Sequence, residues 1–326
     1  MTGLDDYLAG LRAAAEPTRL RLLALCAEGE LTVSELTEIL GQSQPRVSRH
    51  LKLLVEAGLL ERIREGTWAF YRLTGGDAGT RLGRRLVDMI PADDAALALD
   101  RERLGAVKQA RAGRAQAYFR KNAARWNKIR KLYVAEAEVE KALLEAMPME
   151  GVGDFLDIGT GTGRILELFG DKVERGLGID LSREMLALAR ANLERTGRHN
   201  CRVRHGDMYK LPLPSASFDA ATIHQVLHYA DHPAAAIAEA ARVLRQGGRL
   251  VIVDFAPHDL EFLRLEHAHR RLGFSDDEVK GWCRAAGLVP EGTVRLPGDP
   301  LTVLIWTVRR SHPGPSGRKG GRDSDR

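Results

Sequence analysis

The stretch Asp154-Phe155-Leu156-Asp157-Ile158-Gly159-Thr160-Gly161-Thr162-Gly163-Arg164 decides how the C-terminal part of the chain folds. Phe155, Leu156 and Ile158 make a short apolar run suited to a buried strand. Glycines follow at 159, 161 and 163, and a helical pattern starts at Ile165 and Leu166. Strand, glycine turn and helix open a nucleotide-type site. Glycine lets a ligand lie against bare backbone, and the first turn of a helix offers N–H donors that have no partner of their own.

Downstream the pattern alternates. Strands are expected at Phe155–Ile158, Leu177–Ile179, Arg202–His205, Phe218–Ile223, Leu250–Phe255 and Leu301–Val308, with helices between them, including Arg183–Arg195 and Ala234–Leu244. Such alternation implies right-handed crossovers and a parallel sheet, with ligands at the carboxyl ends of its strands. Asp180, in Gly-Ile-Asp-Leu-Ser, ends the second strand, and Asp207, in His-Gly-Asp-Met, follows the third. An acidic residue after strand two can accept both hydrogens of a ribose diol. Asp207 is placed for an adenine amino group. A dinucleotide fingerprint needs a small residue where this chain has Arg164, and a Gly-Lys-Ser/Thr phosphate loop is missing from the sequence. The pattern points to an adenosine ligand without phosphates.

This region resembles a class I S-adenosylmethionine-dependent methyltransferase. The resemblance rests on Phe155 to Arg164, Gly178-Ile179-Asp180-Leu181-Ser182, Gly206-Asp207-Met208, Leu211-Pro212-Leu213-Pro214 with Ser217-Phe218-Asp219, and Ala241 to Leu250. It implies a seven-stranded sheet with an antiparallel last strand, and S-adenosylmethionine or S-adenosylhomocysteine as ligand. Asp157, Gly159, Gly161 and Gly163 would lie near the methionine part, Asp180 on the ribose, and Asp207 with Met208 at the adenine, with Leu181 among the ligand-binding residues. On the acceptor side, His224, Gln225, His228, Tyr229 and His232 follow strand four. His224 is the candidate catalytic base. His224 and His228 are four apart, a metal-ligand spacing, but no third ligand is compelling, so pocket lining is the reading taken and no metal is expected. His258, Glu261, Glu266, His267 and His269 could supply a general base or a metal site, and a surface helix or pocket wall is the reading taken.

The N-terminal part is patterned differently. Leu4, Leu8 and Leu11 share a helical face, Pro17 starts a second helix, and Thr32 with Glu35 makes a capping box for a third that ends at Gly41. Ser43 is the expected N-cap of the next helix. Its Val47, Leu51 and Leu54 form an apolar stripe, and Ser43, Gln44, Arg46, Ser48, Arg49, His50 and Lys52 are the candidate DNA contacts. Arg and Gln can read guanine and adenine edges, while Ser and Lys can hold phosphates. Two strand-like runs, Leu59–Arg64 and Thr67–Leu73, make a hairpin charged by Arg62, Arg64 and Arg72. Helix, turn, helix and basic hairpin make a winged helix-turn-helix.

Through Glu16 to Leu23, Ser43 to Leu51 and Leu53 to Leu60, this part resembles the ArsR/SmtB family of bacterial regulators. The resemblance implies a homodimer on a pseudo-palindromic double-stranded operator, joined through the first helix and the helix at Ala78–Met89. Metal-sensing members carry cysteines where this chain has Val33-Ser34-Glu35-Leu36-Thr37, so metal sensing does not carry over.

The fold class expected is therefore two-domain. A mainly α winged helix-turn-helix covers residues 1–92, and an α/β Rossmann-like methyltransferase fold covers 151–310. A helical connector at 93–150 includes a basic run from Arg111 to Lys131 and a candidate lid in Tyr118, Phe119 and Trp126; a disordered tail follows from 311. The net charge of +5 and pI near 9.2 allow a nucleic-acid partner. The three separated cysteines fit a reducing compartment. No signal-like or membrane-spanning run is read, and a cytoplasmic protein is expected. The functions that remain open are a transcriptional regulator, read as a repressor, that senses an S-adenosyl ligand, and an active small-molecule methyltransferase under its own winged helix.

Overall fold

A computed structural model describes residues 3–65, 68–74, 78–91, 93–122 and 136–311. Its contacts group into two units. One contains residues 1–126 with 226–233 and 255–274; the other contains 127–225, 234–254 and 275–326. The basic run, the lid aromatics and the tail beyond Ser311 fall on side chains or segments outside the described residues.

In the first unit, α1 (Leu4–Ala14) precedes α2 (Pro17–Ala27), whose Glu16 cap accepts the Arg19 amide at 2.9 Å. A strand too short to be read from sequence, β1 (Leu31–Thr32), leads into α3 (Val33–Leu40). The capping box of α3 is closed in both directions. The Thr32 hydroxyl accepts the Glu35 amide, and the Glu35 carboxylate accepts the Thr32 amide at 2.8 Å. Gly41 ends α3 in the left-handed region at φ 64°, where a side chain would be strained. Ser43 does precede α4 (Gln44–Glu56), but its side chain makes no capping bond. The wing is β2 (Leu60–Glu65) against β3 (Trp68–Leu73), and β1 adds to β3, giving the order β1-β3-β2. After α5 (Ala78–Asp88), the helix α6 (Ala95–Asn122) joins this core. Its Leu104 and Val107 pack with Leu22, Leu36, Ile39, Val47, Leu51 and Leu54. Its buried Asp100 accepts from Arg21 Nε and Nη2, each at 2.6 Å.

The second unit is built on a seven-stranded sheet in the order β6-β5-β4-β7-β8-β10-β9. The strands are β4 (Asp154–Ile158), β5 (Arg175–Asp180), β6 (Cys201–His205), β7 (Phe218–His224), β8 (Leu244–Phe255), β9 (Leu288–Leu296) and β10 (Val303–Arg310). Strands β4 to β8 pair in parallel, and β9 and β10 pair antiparallel. Strand β9 escaped the sequence reading because Pro290 and Gly292 interrupt it and most of its residues are exposed. Ionic pairs tie the amino ends of the central strands. Arg245 reaches Asp154 at 2.7 Å and Asp219 at 2.6 Å, and Arg175 grips Asp154 at 2.6 Å. Among the described residues no helix is long and apolar enough to cross a membrane.

The Arg175 guanidinium, with Arg245, holds the Asp154 carboxyl below its usual value. Burial works to raise Asp219, but Arg245 and the amides of Asp154 and Gly153 outweigh it and hold that carboxyl low as well. Carboxylates lowered by folding stabilise the native state above their unfolded pKa of about 3.9, and that contribution is lost as pH falls through the folded values. Arg245→Met should therefore lower the thermal midpoint at pH 7 by a few degrees, since partly exposed pairs contribute at most about 1 kcal/mol each. It should also reduce the loss of stability on acidification below about pH 4. Melting followed by circular dichroism checks both. An unchanged midpoint with an unchanged acid slope would contradict the role given to Arg245.

Candidate functional site

The DNA-facing candidates separate by burial. Val47, Leu51 and Leu54 are completely buried, which turns the other faces of α4 outward. Ser43, Gln44, Arg46, Arg49 and Lys52 are exposed, Ser48 is half-buried, and Arg62 and Arg64 are exposed on alternate positions of β2. His50 and Arg72 differ. His50 is half-buried with Nδ1 3.6 Å from Glu16, and Arg72 pairs with Glu61 and, at 2.9 Å, with Glu30. The Arg72 guanidinium is taken up by these carboxylates, whereas His50 Nδ1 makes no hydrogen bond among the described residues. Ser43, Gln44, Arg46 and Arg49 leave the amino end of α4 with an exposed polar and basic face.

In the second unit, the glycine loop and the ends of β5 and β6 come together. Gly159, Gly161 and Gly163 all have positive φ, at 73°, 53° and 83°. The loop folds over β5 through Gly159 and Thr160 amides on the Ile179 carbonyl at 2.7 and 3.0 Å. A Cβ on Gly163 would lie 3.2 Å from Ala189 Cβ, so loop and helix Arg183–Arg195 leave no slack there. The Asp180 carboxylate accepts the Gly161 amide with one oxygen and the Ser182 amide with the other, each at 2.8 Å. Burial of this carboxylate pushes its pKa up, against those amide bonds. The Leu181 amide opposes this rise as well, and a carboxylate, with about four acceptor positions, keeps capacity for donors such as the hydroxyls of a vicinal diol. The Thr160 hydroxyl is also buried without a hydrogen-bond partner among the described residues. These groups fit an adenosyl ligand.

Asp157 is buried, accepts the Thr222 hydroxyl at 2.7 Å, and so links β4 to β7 beneath the loop. Asp207 is exposed and accepts the Tyr209 amide at 2.9 Å, with Met208 beside it; Leu181 is 43% exposed. His224 is half-buried at the end of β7. Arg164 does not face a phosphate. Glu140 holds it at 2.6 and 2.7 Å and Glu167 at 3.1 Å, and these bonds keep it protonated.

A third cluster, in the first unit, was not legible in sequence. His228 and His269 stack with ring centroids 4.1 Å apart, Phe255 lies 5.2 Å from His228, and Tyr229 meets His269 edge-on. Burial lowers His269 well below the usual histidine value. Beside them, Arg264, Arg270 and Arg271 are buried at 8%, 8% and 2% exposure. Arg264 pairs locally with Glu261, but Arg270 and Arg271 reach Glu30 some 240 positions away, which no spacing rule could find. Among the described residues no three His, Cys, Asp or Glu side chains gather to hold a metal ion. All three cysteines are buried, and burial raises their thiols, Cys283 to about 12, away from the thiolate form that soft metals need.

Residues 16–62 match the bacterial regulatory protein arsR family, and residues 156–252 match a methyltransferase domain family. The arsenic resistance transcriptional regulator ArsR1 of Pseudomonas putida is 52% identical over 63 residues, which is 19% of this chain and 49% of that protein. The uncharacterized methyltransferase YcgJ of Bacillus subtilis is 37% identical over 105 residues, 32% of this chain and 42% of that protein. The chain thus spans less than half the length of each of these relatives. A solved chain from the Haloferax volcanii complex between the Trm112 methyltransferase activator and a methyltransferase shares the fold. Its TM-score is 0.50 at 24% identity, over 60% of this chain and 98% of that one. The chain joins an ArsR-family helix-turn-helix to a class I methyltransferase domain.

Arg49→Ala should weaken binding to a selected duplex by about 1–3 kcal/mol if it reads a base edge, and Arg46→Ala should do the same, both measured by fluorescence anisotropy at fixed salt. Arg72→Ala should change DNA affinity less than either. The reverse order would contradict the assignment of faces.

Proposed function

We propose that this chain is a DNA-binding regulator, a repressor in sign, whose methyltransferase domain binds S-adenosylmethionine or S-adenosylhomocysteine as the signal. One observation carries the reading. The segments that follow β7 and β8, at the carboxyl ends where such sheets bind ligands, fold into the unit that holds the helix-turn-helix. In a methyltransferase these segments would wall the acceptor site. Here residues 226–233 and 255–274 group with the DNA-binding elements. A ligand changes DNA affinity only if it binds the DNA-competent and incompetent arrangements unequally, and the effect on each partner is then reciprocal. The reading includes a homodimer on a two-fold operator in the cytoplasm.

The proposed contacts are Asp180 with Leu181 at the ribose, Asp207 with Met208 at the adenine, and the 159–163 loop with Asp157 at the methionine part. The ligand, when it is S-adenosylmethionine, supplies an activated methyl group. His224 favours the second reading, an active methyltransferase, because its place at the end of β7 suits a base for the acceptor.

Operator affinity measured across a titration of each ligand tests the regulatory reading. At least a fivefold change with one of them is expected, and no change with either would sink it. Labelled methyl transfer into cell extract tests the second. Asp180→Ala should abolish ligand binding in calorimetry and leave ligand-independent DNA binding intact. Ligand affinity of the wild type should fall on acidification at a pH above the ordinary aspartate value of about 3.9, because protonating the raised Asp180 carboxyl removes an acceptor from the diol. Affinity that stays flat to pH 4 would count against the ribose contact.

A further inference from the structure

We infer that the turn Glu28-Gly29-Glu30 is the coupling point through which segments 226–233 and 255–274 hold the helix-turn-helix and its wing. The inference rests on the regulatory reading and names the contact that would transmit it.

The turn joins α2 to β1 and α3, and distant parts of the first unit converge on it. Glu30 is 7% exposed, and its carboxylate takes Arg271 Nη1 at 2.9 Å on one oxygen and Arg72 Nη1 at 2.9 Å on the other. Its carbonyl accepts Arg270 Nη2 at 2.6 Å. Lys108 of α6 donates to the Glu28 carbonyl at 3.3 Å. At Gly29, with φ 138°, an added Cβ would fall 1.7 Å from the His232 ring, so this imidazole lies directly on the bare backbone. Helix α6, the wing strand β3 and both segments therefore meet three consecutive residues.

The same arginines continue outward. Arg270 pairs with Asp231 at 2.9 Å and lies 3.8 Å from Glu35, the residue that closes the capping box of α3. The guanidinium groups of Arg264 and Arg270 sit 5.5 and 5.3 Å from the centroid of Phe70, in β3. The backbone is fitted just as closely. Both Arg270 and Arg271 amides bond the His228 carbonyl, and Gly273, at φ 88°, passes so near Ala256 that a Cβ would meet its carbonyl oxygen at 2.2 Å.

Buried ion pairs lose much of their attraction to desolvation, so they are poor stabilisers. They do penalise any arrangement that leaves one charge unpaired. Moving segment 255–274 takes Arg270 and Arg271 from Glu30, which leaves a buried carboxylate short of partners next to the start of α3. That penalty makes the contact discrete, held or released, as a two-state coupling requires. The segment starts at the end of β8 and the 226–233 loop at the end of β7, so chain connectivity delivers a change at the strand ends to this turn.

The test uses the full chain, a duplex recovered by the protein from a random-sequence pool, and S-adenosylhomocysteine and S-adenosylmethionine as ligands. Glu30→Gln keeps the shape and removes the charge. It should leave ligand affinity within about twofold, keep DNA binding without ligand, and cut the ligand-dependent change in DNA affinity to less than twofold. Should that variant fail to fold, the pair Glu30→Gln with Arg271→Met removes both charges together and carries the same expectation. Either variant responding to ligand as the wild type does overturns the coupling and leaves the regulatory reading standing. A wild type that does not respond defeats the regulatory reading itself, and the coupling with it.

Discussion

A parallel sheet brings the carboxyl ends of its strands to one edge, and the proposed ligand groups of this chain are attached there. Three neighbouring strands end in ligand-type chemistry. After β4 comes a loop of left-handed glycines, Asp180 ends β5, and Asp207 follows β6. The next two, β7 and β8, run on into segments that fold with the helix-turn-helix. One edge therefore carries the proposed ligand groups and starts the two segments that group with the helix-turn-helix.

Arginine does three different things in the molecule, and net charge alone separates none of them. Arg21, Arg164 and Arg245 are structural pairs that tie helices or strand ends. Arg264, Arg270 and Arg271 are buried among carboxylates and the Phe70 and Phe274 rings, where their fixed fork geometry sets register. Arg46, Arg49, Arg62 and Arg64 face solvent on the helix and strand that would meet DNA. The overall charge of +5 is thus a small remainder of extensive internal pairing, and the nucleic-acid argument rests on the exposed set.

Local signals carried most of the fold. The capping box at Thr32 and Glu35, Pro17 at a helix start, the glycine loop and the helix Arg183–Arg195 are all short-range features, and each sits where its residues place it. Strand β9 was missed because an exposed strand near the sheet edge needs no apolar alternation. β1 was missed because two residues make no pattern. In the candidate sites, side-chain types were legible but their neighbours were not. Arg72 reads as a DNA contact, but its guanidinium also pairs with Glu30 and Glu61, and these pairings depend on tertiary proximity. The cluster around Glu30 lay wholly beyond sequence, because Arg270 and Arg271 are 240 and 241 positions away from it.

The central claim is that ligand state at the strand ends reaches the DNA-binding unit. Hydrogen exchange of the full chain, read by mass spectrometry with and without saturating S-adenosylhomocysteine, tests this most directly. The account predicts altered protection in the 159–163 loop and also in residues 28–40 and 255–274. Changes confined to residues 154–210 would show that the ligand is bound but not felt, and would contradict it.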